Sequence, residues 1–374
     1  MKNNIKKYIY LFIYFTSLSC TTTTIEEYQV VNNELQINLK WNKSYKEDSF
    51  EKNKIALDWF LSYLGGKNSV VTSKNEGLIY KDPIIILNIE HAGFSEKAIT
   101  IFKNIHSQIK ETEEYKINKT IDLGRYITLI LGNTNNYYSI TGISNNLNEL
   151  KQKYSLETEK GYVNNSSISK VHRKIAFSNY KNNSQLFLAE EIDSITEEVL
   201  EFETLEIMEN GQLLFGIFDK NGRLKESAST DITSAGKPGK CMWCHEVNIL
   251  PFFTVQKDYK GYLSYTSFQE TLKASNKELR KYQDEVWTNN RLMNKQNHMF
   301  MEIAYISYLE PSIERIVNEW NMTEQEVEVK LRNMSTHKHK EFGFLGDLYN
   351  RKDIDAIAPF KSVNTPKSVR ETVK

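Results

Sequence analysis

The sequence predicts an α+β fold: an N-terminal mixed α/β region with an antiparallel sheet, followed by a helical C-terminal region. Three patterns carry that prediction. Between 50 and 131 apolar residues recur three and four apart, with short β-branched runs between them. From about 174 to 225 the period falls to two, and Asn-Gly pairs interrupt it. Beyond 265 the helical spacing returns and persists.

Leu35, Ile37, Leu39 and Trp41 alternate with polar residues and predict a strand. Asp48 with Glu51 forms a capping box before a helix through Ile55, Leu57, Trp59, Phe60 and Leu64, which Gly65-Gly66 stops. Pro83 opens Ile84-Ile85-Ile86-Leu87, a short buried strand. Ser95 starts a helix whose inner face is Ala98, Ile101, Phe102, Ile105 and Ile109. Ile121 to Leu131 predicts a third apolar helix.

Ile175 to Ser178 and Leu186 to Ala189 read as short strands. Leu200 and Phe202 alternate with Glu201 and Glu203, the pattern of a half-buried sheet. Asn210-Gly211 joins this run to Leu213–Phe218 as a hairpin, and Asn221-Gly222 offers a second turn. Residues 225–240, rich in Ser, Thr, Gly and Lys, predict a loop. Ser267 with Glu270 is a further capping box. Phe268, Leu272, Leu279, Val286, Met293 and Phe300 then recur near a seven-residue spacing, which predicts one long helix or two nearly continuous ones. Pro311 interrupts it. A shorter helix through Ile313, Ile316, Val317 and Trp320 comes next, and Thr323 with Glu326 caps another, which carries Val327, Val329 and Leu331.

The charges balance, 48 basic against 48 acidic. That excludes the basic footprint of a nucleic-acid-binding protein, so the helix pair Glu310–Trp320 and Thr323–Met334 predicts ordinary packing rather than a DNA-reading unit. At the N-terminus Lys2, Lys6 and Lys7 precede the apolar run Tyr8–Phe15, and small residues lead to Ser19-Cys20. A basic head, a short apolar middle and a small-residue end describe an export signal. The run falls well short of the ~20 residues that span a bilayer. Its end resembles a bacterial lipoprotein signal. The resemblance implies a signal peptide at 1–19, lipidation of Cys20 and a polar tether at 20–32. It places the chain in the bacterial cell envelope, lipid-anchored to a membrane on the periplasmic or outer-surface side. The remainder divides into an α+β region at 33–225, a segment at 226–265 and a helical region at 266–374.

Cys241-Met242-Trp243-Cys244-His245 lies in the middle segment and holds two of the chain's three cysteines. A C-x-x-C-H run is the mark of covalent c-type haem attachment, in which two thiols bond the porphyrin and the adjacent histidine ligates the iron. On this reading Cys241 and Cys244 form the thioethers and His245 the proximal iron bond. The ring nitrogen of His245 away from the iron then donates to a carbonyl, and Met242, Trp243, Leu250, Phe252 and Phe253 supply a hydrophobic wall. Two other uses of the thiols stay open. One is a disulfide, as exported cysteines form. The other is zinc, with His337 and His339 completing a Cys₂His₂ set. A thioredoxin-like site needs the motif to open a helix after a strand, and the Gly/Pro loop ahead of Cys241 argues against it.

The candidates for the distal iron ligand are His298, Met299 and Met301 on the long helix, with His337 and His339 further on. Met293 belongs to the same group, and core filling is the competing role for the methionines. An ordinary helix pair with Glu302 is the competing role for His298. His91, His106 and His172 read as structural or surface residues. The five motif residues resemble the attachment site of c-type cytochromes. Their place after an antiparallel sheet is similar to a group of haem proteins in which a sheet carries the motif near its end. The resemblance implies one covalent haem c and electron transfer with a redox partner protein in the envelope. With an open iron position it implies instead an enzyme acting on a small molecule such as a peroxide or nitrogen oxide. A non-haem envelope lipoprotein holding a structural zinc or disulfide is the reading outside that class.

Overall fold

Ile37 and Leu39 put strand β1 (Gln36–Lys40) inside a four-stranded sheet, because both side chains leave the same face and both are fully buried. The structure, a computed structural model, describes residues 34–71, 76–288 and 295–366. After β1 come α1 (Phe50–Tyr63), α2 (Asn68–Val71), β2 (Leu78–Lys81) and β3 (Ile84–Asn88). Then come α3 (Glu96–Lys110), α4 (Glu113–Asn118), β4 (Ile121–Asp122), α5 (Leu123–Leu131), α6 (Thr134–Thr141) and α7 (Leu147–Lys153). The sheet runs β2-β3-β1-β4, antiparallel except for the parallel β1–β4 pair.

Helix α1 starts one residue later than the capping box predicts. Ser49 is the N-cap and accepts from the Lys52 N–H, while Asp48 accepts from the Ser49 N–H. Its second half, Ala56 through Tyr63, is buried on every side, as expected of a helix in the middle of a core.

The second sheet is a five-stranded antiparallel meander: β5 (Gly161–Val163), β6 (His172–Phe177), β7 (Leu186–Ile192), β8 (Val199–Ile207) and β9 (Leu213–Asp219). β6 and β7 are longer than the sequence pattern suggests, and β5 carries too little pattern to be read. The β8–β9 hairpin turns at Asn210-Gly211, where Gly211 takes φ 79°. Asn210 Nδ2 then donates to the Ser62 carbonyl at 2.8 Å, which ties the hairpin to the end of α1.

The predicted loop before the motif ends early. Pro238 occupies the first turn of α8 (Pro238–His245), where its missing N–H costs nothing. The long helical stretch is two helices, α9 (Tyr265–Val286) and α10 (Lys295–Leu309); Ser264, not Ser267, caps α9. Helix α9 approaches β5 so closely that a Cβ on Gly161 would stand 2.5 Å from the Phe268 ring. Helix α10 packs on α1 and α5. One core therefore runs from Ile37 to Leu348. The capping box at Thr323 and Glu326 forms as predicted. Helices α11 (Ile313–Trp320), α12 (Glu324–Leu331) and α13 (Arg351–Ile357) enclose a separate small core around Ile316, Trp320, Val327 and Ile354.

Candidate functional site

On α8, residues 241, 244 and 245 fall within one face, since steps of three and four return to the same side of a helix. All three line one cavity of about 300 Å³ between α8 and the second sheet. The sheet contributes Ile175, Phe187, Ala189, Leu205, Phe215 and Ile217, which share one face by register. The chain after α8 covers the cavity with Leu250, Phe252 and Phe253, three of the five wall residues predicted. The other two point elsewhere. Met242 is fully buried in the main core, and Trp243 packs edge-on against Tyr305 at 5.0 Å. They sit on the helix faces that the motif's own spacing turns away from the cavity.

The His245 ring is held between Phe215, at 5.5 Å, and Phe252, at 4.7 Å. Its Nδ1 lies 3.3 Å from the Asn248 carbonyl. A carbonyl only accepts, so Nδ1 carries the proton and Nε2 the lone pair. Burial, partly opposed by that hydrogen bond, pushes the imidazole down to about 4, which keeps it neutral and able to ligate. The Cys241 thiol is pushed up, first by burial and then by the nearby Glu203 carboxylate. That keeps it protonated and quiet toward other chemistry.

One end of the cavity is charged. Arg173 and Glu203 line it, and Arg173 Nη2 meets Glu203 at 2.7 Å. In register, Arg173 on β6 lies opposite Glu191 on β7, which lies opposite Glu201 on β8. Arg173 Nε donates to Glu191 at 2.5 Å, and so does the Ser169 hydroxyl at 2.5 Å. Lys225 and Ser229 bond Glu201. The sequence pattern puts Glu201 and Glu203 on a wet face opposite Leu200 and Phe202. Both faces of this sheet are covered instead: Phe202 is buried on one, and Glu201 has no exposure on the other. Alternation alone cannot tell a face lining a cavity from one facing solvent. That is why Arg173 and Glu203 are not legible as site residues.

None of the distal candidates lines this cavity. His298 is buried against Trp59 at 4.8 Å, with Nδ1 3.4 Å from the Tyr63 hydroxyl. Met301 is fully buried in the core and Met299 is exposed on α10. His337 and His339 face Glu310, at 3.4 and 4.0 Å. Helical spacing places the first three near one another, yet α10 spends its inner face on α1 and α5. Cys20 and Met293 lie outside the described residues. Among the described residues no group of three or more His, Cys, Asp or Glu side chains is gathered to hold a metal ion, so Cys241, Cys244, His337 and His339 do not form a zinc set. Cys241 and Cys244 are free thiols. A haem iron needs only one imidazole from this wall, and two thiols, a neutral imidazole and an apolar cavity are the donor set such a group requires. Comparison with protein-family models, with curated proteins and with solved structures finds no match to the chain.

Proposed function

We propose that this cavity holds one haem c and that the protein is an exported, lipid-anchored cytochrome that exchanges electrons with a redox partner in the bacterial cell envelope. The observation that carries the reading is the convergence of Cys241, Cys244 and His245 on one apolar cavity, with His245 Nδ1 already committed to a carbonyl. Cys241 and Cys244 would hold the group covalently through thioethers, and His245 would ligate its iron. When bound, the iron supplies a one-electron centre or a position for a small ligand. The chain's own part is to anchor through Cys241 and Cys244, to ligate through the His245 Nε2, and to exclude water with the Phe187, Phe215 and Phe252 wall. Cys20 is the anchor to the membrane.

A second reading, an enzyme acting on a peroxide or nitrogen oxide, is favoured by one feature. Arg173 and Glu203 are hydrogen-bonded charges that line a largely apolar cavity, where they hold or move a proton on this reading.

The experiment is production with the haem-attachment machinery present. The first reading expects a Soret band and haem that stays with the chain after denaturation. It also expects loss of covalent haem in Cys241→Ala/Cys244→Ala and release of Cys20→Ser from the membrane fraction. A colourless wild type sinks both haem readings. A low-spin spectrum indifferent to added carbon monoxide or cyanide favours electron transfer, and a high-spin one that binds them favours the enzyme.

A further inference from the structure

His245 ends α8, and the residues after it leave by a route the local sequence does not favour. Glu246 takes φ 52° and ψ −111°. Glycine adopts that conformation freely, and a residue with a side chain adopts it under strain. The step turns the chain back beneath the imidazole. The Asn248 N–H donates to the His245 carbonyl at 2.9 Å, and the Asn248 carbonyl takes His245 Nδ1 at 3.3 Å.

A strained turn persists where its surroundings over-determine it. Three side chains from two distant elements do so here. The Tyr63 hydroxyl on α1 donates to the Glu246 carbonyl at 2.6 Å. Gln283 Nε2 on α9 donates to the Val247 carbonyl at 3.1 Å and also to the Gly211 carbonyl at 2.9 Å. Asn276 Oδ1 on α9 accepts from the Ile249 N–H at 2.9 Å. Residues 246, 247 and 249 are thus each held by a different side chain. Asn248 sits between them and holds the imidazole.

We infer that Tyr63, Asn276 and Gln283 are positioning residues for the His245 imidazole, acting through the 246–249 turn to fix the ring's orientation and the strength of its Nδ1–H bond. The inference rests on the reading of His245 as the axial ligand. A firmer bond at Nδ1 leaves more electron density at Nε2, so a turn that fixes the carbonyl also tunes the ligand. Tyr63 and Gln283 are fully buried, and their bonds to the turn link the motif to α1 and to the β8–β9 hairpin.

The test uses haem-loaded full-length protein: wild type, Asn276→Ala, Asn276→Asp and Tyr63→Phe. Two quantities are read. One is the g-anisotropy of the ferric electron paramagnetic resonance spectrum, which reports the axial ring's orientation. The other is the midpoint potential. Asn276→Ala and Tyr63→Phe are expected to keep covalent haem at the wild-type stoichiometry, to broaden and shift the resonance signal, and to raise the potential. Asn276→Asp keeps the accepting oxygen and is expected to return the resonance signal to its wild-type position. An unchanged signal and potential in both Asn276→Ala and Tyr63→Phe, with haem attached, overturn the inference and leave the haem reading standing. If Asn276→Ala fails to fold, Tyr63→Phe decides, because it removes one oxygen and no carbon. A wild type that takes up no covalent haem overturns the reading and, with it, the inference.

Discussion

Glu319 and Glu191 are both glutamates with almost no exposed side chain, and their carboxyls are displaced in opposite directions. Glu319 on α11 meets Arg351 bidentately, both contacts at 2.8 Å, with Arg125 at 3.5 Å and Arg315 at 3.8 Å. Burial opposes its charge, but three guanidiniums outweigh burial and hold it down to about 2. Glu191 on β7 has one guanidinium, Arg173, which it shares with Glu203. There burial wins, Arg173 offsets only part of it, and the carboxyl is pushed up to about 7. Glu114 sharpens the lesson. It belongs to the Glu319 cluster but among the described residues has only Arg125 as an ion-pair partner, and it too is pushed up by burial. The count of guanidiniums decides the sign. Both groups carry one carboxylate more than they have cations: around Tyr308, Glu114, Asp122, Glu319 and Asp355 stand against Arg125, Arg315 and Arg351, and beside the cavity Glu191, Glu201 and Glu203 stand against Arg173 and Lys225. What separates Glu319 from Glu191 is therefore how many guanidiniums reach the one carboxyl.

The largest effect that could break this comparison belongs to Glu319. Glu319→Gln removes the one carboxylate that all three buried guanidiniums share, and stripping one partner from a buried ion pair costs about 3–5 kcal/mol. Urea unfolding of Glu319→Gln is expected to show a loss of that size with an unchanged slope. Glu191→Gln at pH 8 is expected to lose far less, because Arg173 keeps Glu203. Equal losses would mean that the two clusters do the same work.

Periodicity in a sequence shows which residues share a face and not what the face meets. The antiparallel sheet, its Asn-Gly hairpin, the Ser95 helix and the Thr323 capping box are legible because each depends on residues close in the chain. The face carrying Cys241, Cys244 and His245 is legible for the same reason, since their spacing alone puts them together. The cavity's other wall is not. Arg173 and Glu203 reach it through strand pairing across thirty residues, and the alternation that places Glu203 opposite Phe202 is right about parity and silent about covering. The distal candidates fail the same way: five residues of suitable chemistry, none of which the packing of α10 or the Glu310 pairing brings to the cavity. The turn at 246–249 is invisible because the side chains that hold it come from α1 and α9.

The next effect is a pH dependence with opposite signs at the two glutamates. Glu191 binds its proton more tightly folded than unfolded. Its contribution is full below about pH 4.5 and is lost as pH rises toward about 7. The slope through that window is about 1.4 kcal/mol per pH unit at most. Glu319 behaves the other way: its contribution is present above about pH 4.5 and is lost as pH falls toward about 2. Thermal or urea unfolding from pH 4 to 8 is expected to show wild-type stability declining on the alkaline side and Glu191→Gln flattening that decline. A decline that Glu191→Gln leaves untouched assigns it to another group and removes the contrast.

The smallest effect tests the proton on Glu191 directly. The Ser169 hydroxyl lies 2.5 Å from Glu191 and 3.0 Å from the Val171 carbonyl, and its one proton serves one of the two acceptors at a time. A hydrogen bond between neutral groups contributes about 1 kcal/mol net, and one to a charged group about 1.5–3 kcal/mol. Ser169→Ala is therefore expected to cost about 1 kcal/mol near pH 5.5, where Glu191 keeps its proton. Above pH 8, where the carboxylate needs every donor it has, the cost is expected to rise by about 1 kcal/mol. Urea midpoints at the two pH values measure both. A cost that does not grow with pH means Glu191 has the same charge at both, and the surplus carboxylate of the row is then neutralised by some group other than its own proton.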